Sequence, residues 1–306
     1  MQAIRLRLPA TSANLGPGFD AVGLAMGLWL QIDASAAPEG GGFRIAATGR
    51  DSALCASLER NLILDTYRDV LRVEKAPAPA LHLTLENGIP LGMGCGSSAA
   101  ALLGGVLLAS HFGGLGWSLY RCMEEASRRE GHPDNVAACA LGWTTVSCGT
   151  PEAVPGQGTR VIAATCGQDL PWRLLLALPS ASLATEKARA LLPAEYTRAD
   201  AVANVQRTAL LVAAFAQGRG ELLHTAMQDR MHQPYRMAAC PLLARLLPLS
   251  GTPGFPGVAL SGAGPGVLVI ADPENDPAAA VARVREAAGD PELEVIETRM
   301  VAGASV

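Results

Sequence analysis

A run of glycines followed by two hydroxyls is the first place in this sequence where residue types and spacing could do chemistry. It reads Pro90-Leu91-Gly92-Met93-Gly94-Cys95-Gly96-Ser97-Ser98-Ala99-Ala100. Glycine lets the backbone turn tightly and aim N–H groups at a ligand, and a helix opening at Ser97 adds unpaired donors and a partial positive charge. Together these make an anion site. The plainer alternative is a turn with Ser97 as a helix N-cap, a role serine commonly fills. Three glycines in five residues exceed what a cap needs. A P-loop requires Gly-Lys-Ser/Thr at the helix start, where this chain has Gly96-Ser97-Ser98, and the dinucleotide fingerprint requires glycine where Ser97 stands. Both common alternatives fail on a named residue. What remains is a phosphate loop with a hydroxyl able to reach a magnesium ion on a nucleotide.

Other residues with chemistry to offer follow along the chain. Glu124 and Glu125 fall in a helical stretch just before Glu130-Gly131-His132-Pro133-Asp134-Asn135-Val136. Within that segment His132 or Asp134 is the natural nominee for a general base. Thr185 and Arg189, four apart, would share one face of a helix. Arg236 closes the stretch His232-Gln233-Pro234-Tyr235-Arg236. Arginine presents a planar fork that grips a carboxylate through two bonds, which lysine does not reproduce.

The elements that must position these groups are readable in outline. Residues 3–8 alternate with Ile4, Leu6 and Leu8 on one face, which predicts a strand with one wet face. Residues 9–20 are rich in turn formers and read as irregular. Further strands are predicted at 43–47, 81–85 and 144–147, and helices at 61–73, 97–111, 118–129 and 199–217. Residues 149–158, with three glycines and two prolines, mark the best boundary. Strands at 173–177, 258–260, 267–271 and 293–297, with a helix at 277–288, follow it. The class is α+β, with two domains over 1–154 and 155–306.

Composition narrows the partners. Hydrophobic residues make up 49% of the 306 and charged residues 17%, which excludes a disordered chain. A net charge of −4 lacks the basic footprint of a nucleic-acid binder. Only Lys75 and Lys187 are lysines, so a lysine-dependent phosphate site has almost no candidates. Apolar runs stop short of the roughly 20 residues of a membrane span, and the N-terminal alternation is not a secretory core. Seven scattered cysteines without a C-x-x-C pair predict buried thiols in a reduced cytoplasmic protein.

The glycine loop resembles the central motif of the GHMP small-molecule kinases. The stretch Pro9-Ala10-Thr11-Ser12-Ala13-Asn14-Leu15-Gly16-Pro17-Gly18-Phe19-Asp20 is similar to that family's first motif, and Ser261-Gly262-Ala263-Gly264-Pro265-Gly266 to its third. The three occur in the family's order across nearly the whole chain. Cys95 departs from the leucine usual there. The first motif, with residues 130–136, resembles the branch of the family that phosphorylates homoserine.

The resemblance implies an N-terminal domain like ribosomal protein S5 domain 2 and a ferredoxin-like C-terminal domain, with ATP, Mg²⁺ and L-homoserine meeting between them. It implies nucleotide binding by Asn61 and by Pro90, Leu91, Gly92, Met93, Gly94, Cys95, Gly96, Ser97 and Ser98. It implies metal ligation by Ser98 and Glu124, with Glu125 the register alternative. Asn14 and Asp20 would hold the substrate's amino group, Arg189 and Arg236 with Thr185 its carboxylate end, and His132 its polar end. Asn135 would orient the reacting hydroxyl without taking its proton. A kinase for another small alcohol such as threonine or shikimate, or a catalytically silent sensor, are the rival readings. A homodimer is the oligomeric expectation.

Overall fold

The computed structural model describes residues 3–150, 160–181 and 185–306, with residues 185 and 186 described by backbone alone. Two sheets organise it. The first contains β1 (Ala3–Asn14), β2 (Gly18–Ala36), β3 (Arg44–Gly49), β4 (Leu81–Asn87), β5 (Thr144–Thr150) and β6 (Arg160–Cys166). Their order is β3-β4-β2-β5-β6, with β1 paired to β2. Only β3 and β4 run parallel among these pairs. The second sheet holds β7 (Arg173–Leu178), β8 (Gly257–Leu260), β9 (Val267–Ala271) and β10 (Glu294–Thr298) in the order β10-β7-β9-β8, all antiparallel. Long helical connections between β7 and β8 and between β9 and β10 give the ferredoxin-like arrangement that the resemblance implied.

Helices α1 (Ser52–Cys55), α2 (Leu62–Val73), α3 (Ser97–Phe112), α4 (Leu119–Glu130) and α5 (Asp134–Leu141) accompany the first sheet. Helices α6 (Thr185–Ala190), α7 (Arg198–Gln217), α8 (Leu223–Ala226), α9 (Gln233–Arg236), α10 (Pro241–Leu246) and α11 (Pro277–Ala288) accompany the second. No described helix is long and apolar enough to cross a membrane. The domain split expected at 154 falls at residues outside the described set. The next strand, β6, pairs with β5 and so extends the first sheet to Cys166.

The first motif is mostly strand, contrary to the irregular reading. Its turn formers are absorbed as register shifts at Pro9/Ala10 and Ala13/Asn14, and as left-handed backbone at Asn14, Leu15, Gly16 and Asp20. Those shifts interrupt the regular ladder of the β1–β2 ribbon, as bulges do. The 19-residue β2 escapes a period-two reading because residues 22–26 are buried on both faces.

The second sheet shows the period clearly. Leu174, Leu176, Leu268 and Ile270 face the main core, whereas Leu175, Ala177, Val267 and Val269 face a second cluster with Leu243, Leu246 and Val284. The chain then returns to the first sheet: Trp143 donates to Val301 O, Val301 to Ala25 O and Ser305 to Arg7 O. The two sheets are therefore stitched by backbone as well as by a shared core.

Candidate active site

Helix α3 begins in the cleft between the sheets. Gly96, at φ 68°, is its N-cap and supplies no side-chain bond, so Ser97 is not a cap but lies inside the first turn. The first-turn N–H groups are left to whatever occupies the cleft. The loop before them is held by the other two motifs. Thr11 N–H donates to Cys95 O, Gly262 N–H to Ala13 O, and Gly266 N–H to Met93 O. The Ser261 hydroxyl lies 2.7 Å from Gly94 O and 2.9 Å from Ser12 Oγ. Glycine is required at two of these positions. A Cβ on Gly94 would land on the Ser261 carbonyl oxygen, and one on Gly96 on the Thr11 hydroxyl, both at positive φ.

Of the expected loop residues, Gly92, Gly94, Cys95, Gly96, Ser97 and Ser98 line the cleft. Pro90, Leu91 and Met93 do not. Leu91 and Met93 instead anchor the loop, Leu91 N–H donating to Asp51 Oδ2 and Met93 O accepting from Gly266 N–H. Cys95 is buried, which pushes its thiol up to about 12, and it stands as a neutral packing residue.

The expected metal carboxylate requires correction. Glu124 turns toward β6, accepting from Val161 N–H with Arg160 3.6 Å away. Glu125 is buried against Arg128 and Arg129. Neither lines the cleft. Glu130 does, and the Ser98 hydroxyl donates to its Oε2 at 2.8 Å. Its burial raises its pKa, against the bond from Ser98 and the charge of His132. One signal was visible in the sequence. A carboxylate in the last helical position, facing the negative end of the helix dipole and following two arginines, is out of place for stability alone.

Asn61 also requires correction. Its Oδ1 accepts from Ile63 and Leu64 N–H, and its Nδ2 donates to Cys55 and Ser57 carbonyls. It caps α2, and its hydrogen-bonding positions are filled within the chain.

The acceptor end gathers side chains from distant segments. Asp20, His132, Asn135, Arg189 and Arg236 all line the same cleft as the loop. Arg189 Nη2 meets Asp20 Oδ1 at 2.7 Å. His132 Nδ1 lies 2.5 Å from Asp134 Oδ1, which also accepts Asn135 N–H at 2.7 Å. Burial disfavours the His132 imidazolium, but the bond to Asp134 and its charge prevail and raise the pKa. Asn135 Oδ1 accepts from the Thr11 hydroxyl. Asn14 lines the cleft, but its carboxamide bridges Gly262 O and Asp20 N–H. Thr185 opens α6, and its side chain lies outside the described residues.

Arg236 is 1% exposed, and among the described residues no carboxylate pairs with it. Its Nε donates to Ala188 O at 3.2 Å. A buried guanidinium without an anion carries a large desolvation cost, which lowers its pKa with help from nearby Arg189. A bound carboxylate relieves that cost. Phe19, absent from the sequence-derived site, lies between the arginines with its ring centroid 5.7 Å from Arg189 and 5.6 Å from Arg236.

Comparison with known proteins accords with this geometry. Residues 61–143 match the GHMP kinases N terminal domain and residues 211–290 the GHMP kinases C terminal. A homoserine kinase of Solibacter usitatus is 46% identical over 266 residues, covering 87% of this chain and 84% of that protein. One from Desulfitobacterium hafniense is 41% identical, covering 87% and 86%. In structure, a homoserine kinase from Cytophaga hutchinsonii superposes with a TM-score of 0.78 at 22% identity, covering 100% of this chain and 97% of its own. A putative homoserine kinase from Listeria monocytogenes gives 0.72 at 28% identity, covering 98% of each.

Proposed function

The chain belongs to the homoserine kinases of the GHMP family, and from that premise we infer that it transfers the γ-phosphoryl group of ATP to the side-chain hydroxyl of L-homoserine. ADP and O-phospho-L-homoserine are the products. The observation that carries the reading is one cleft joining a helix N-terminus without a side-chain cap to a buried arginine that, among the described residues, has no paired acid. The first suits phosphates and the second an amino-acid carboxylate.

The loop's N–H groups cradle the nucleotide phosphates. Ser98 and Glu130, a hydroxyl and a carboxylate 2.8 Å apart, are hard oxygen donors that would hold Mg²⁺. When bound, such an ion would neutralise charge on the transferring group. Arg236 and Arg189 grip the substrate carboxylate, and Asp20 offers the opposite charge to its amino group. Asn135, held by Thr11, orients the hydroxyl. Asp134, at the cleft wall, accepts from His132 and Asn135 through Oδ1 and so holds both side chains in place. The raised pKa of His132 favours a charged donor to the substrate's polar end over a base. Phosphoryl transfer depends mainly on positioning and charge neutralisation, so it proceeds without a dedicated base.

The product belongs to threonine biosynthesis, a cytoplasmic process in keeping with seven unpaired cysteines. A homodimer is our proposed assembly. The test is ADP release with L-homoserine, L-threonine, L-serine, shikimate and mevalonate. Fastest turnover is expected on L-homoserine, and faster turnover on any other alcohol overturns the assignment.

A further inference from the structure

One histidine beneath the acceptor end has no part in the steps above. His232 is 0% exposed and lies immediately before α9, one turn ahead of Arg236. Its Nε2–H donates to Gly16 O at 2.7 Å, and its Nδ1 accepts from Arg236 Nη1 at 3.2 Å. A neutral imidazole has one donor and one acceptor, so both are occupied and the proton is fixed on Nε2. Burial drives the ring toward the neutral form, Arg236 acts in the same direction, and Asp229, Gly16 O and Asp20 act against it. An imidazolium would turn an N–H from Nδ1 toward the guanidinium, donor against donor.

The surroundings hold this ring in place. Asp229 accepts the N–H groups of Met231, His232 and Gln233, and the carboxamide of Asn204. Phe19 stacks on the imidazole at 5.3 Å and 26°. The other acceptors for Arg236 are main-chain oxygens, Ala188 O at 3.2 Å and Gly262 O at 3.5 Å. His232 is thus the side chain among the described residues that sets the direction of this fork.

We propose that His232 is a positioning residue for the substrate carboxylate, its neutral Nδ1 aiming the Arg236 guanidinium and its Nε2–H tying that fork to the turn at Gly16. The proposal rests on the assignment of Arg236 to the carboxylate. Two substitutions separate the two bonds. An asparagine oxygen falls near the Nδ1 position and keeps an acceptor for Arg236. A glutamine amide falls near Nε2 and keeps the donor to Gly16 but withdraws that acceptor.

His232→Gln is expected to raise KM for L-homoserine about tenfold, the scale of a lost bond to a charged group. KM for ATP and kcat should move far less. His232→Asn should recover most of the loss. On 3-aminopropanol, which lacks the carboxylate, His232→Gln should cost much less. Arg236→Ala, run on both substrates, tests the underlying assignment. Equal loss on both removes that assignment and the proposal with it. If the Arg236→Ala loss depends on the carboxylate, the proposal alone falls when His232→Gln costs both substrates equally, or when His232→Asn is as impaired as His232→Gln. Should His232→Gln be recovered unfolded, His232→Leu, which also withdraws the acceptor for Arg236, is read for the same split between the two substrates.

Discussion

At the phosphate end of the cleft the donors come from one continuous stretch, residues 92–98, and are largely main-chain N–H groups. At the acceptor end the binding groups are side chains, donors and an acceptor alike, brought from four separate places, Asp20, His132, Arg189 and Arg236. The first end is shaped by the space that missing side chains leave, and the second by charges that are partly paired among themselves. They should therefore fail differently. An added methyl blocks the first, whereas the second loses affinity for one functional group at a time.

The largest expected effect lies where the two ends meet. Glu130→Ala should lower kcat by about 10³-fold, since metal neutralisation of the phosphoryl group is worth several kcal/mol. Glu124→Ala and Glu125→Ala should leave kcat within about threefold under the same reasoning. Steady-state kinetics at saturating magnesium would check this, and comparable losses at Glu124 would return the metal to that position. Next, Gly94→Ala should raise KM for ATP by at least about tenfold with a smaller change for L-homoserine, because its methyl meets the Ser261 carbonyl at positive φ. Equal change in both KM values would mean that the ends are not separable.

Arg189→Ala should lower kcat/KM on L-homoserine by about tenfold or more, the scale of a charged hydrogen bond. It should cost much less on 3-aminopropanol, where the partner is already missing. That difference is the coupling a double-mutant cycle reads, with the substrate as one of the mutants. The smallest effect is at Asn61. Its replacement by Ala should cost about 1 kcal/mol of stability through the lost cap. Denaturant unfolding would show that loss, and an accompanying large rise in KM for ATP would restore its expected role in nucleotide binding.

Legibility in the sequence follows the same division. The glycine loop could be read because its function needs adjacent residues. Helices α2, α3, α4 and α7 could be read to within about two residues, since amphipathic spacing or an apolar run marked them. Asp20, Arg189 and Arg236 were assigned together to the substrate only through resemblance, because nothing local ties positions 20, 189 and 236 together before the chain folds. Glu124 was expected in the cleft, which it does not line, for a related reason. Three glutamates lie within seven residues, and only helix phase decides which one meets Ser98. Strand β2 was hidden because burial on both sides erases alternation. Helix α5 has no counterpart among the expected elements, its eight residues giving too short a period to see.

Helix α3 has a consequence for how the protein loosens. Twelve of its sixteen residues are buried, and Gly105 brings its backbone so near α2 that a Cβ there would sit 2.6 Å from Ile63 O. A helix enclosed in this way cannot fray separately from the core, so its interior amides exchange with solvent deuterium only when the whole fold opens. The anion site at its first turn inherits that permanence. Nucleotide binding then has no local melting to suppress along the helix, and its protection should appear as slower exchange throughout the molecule, in proportion to ligand occupancy.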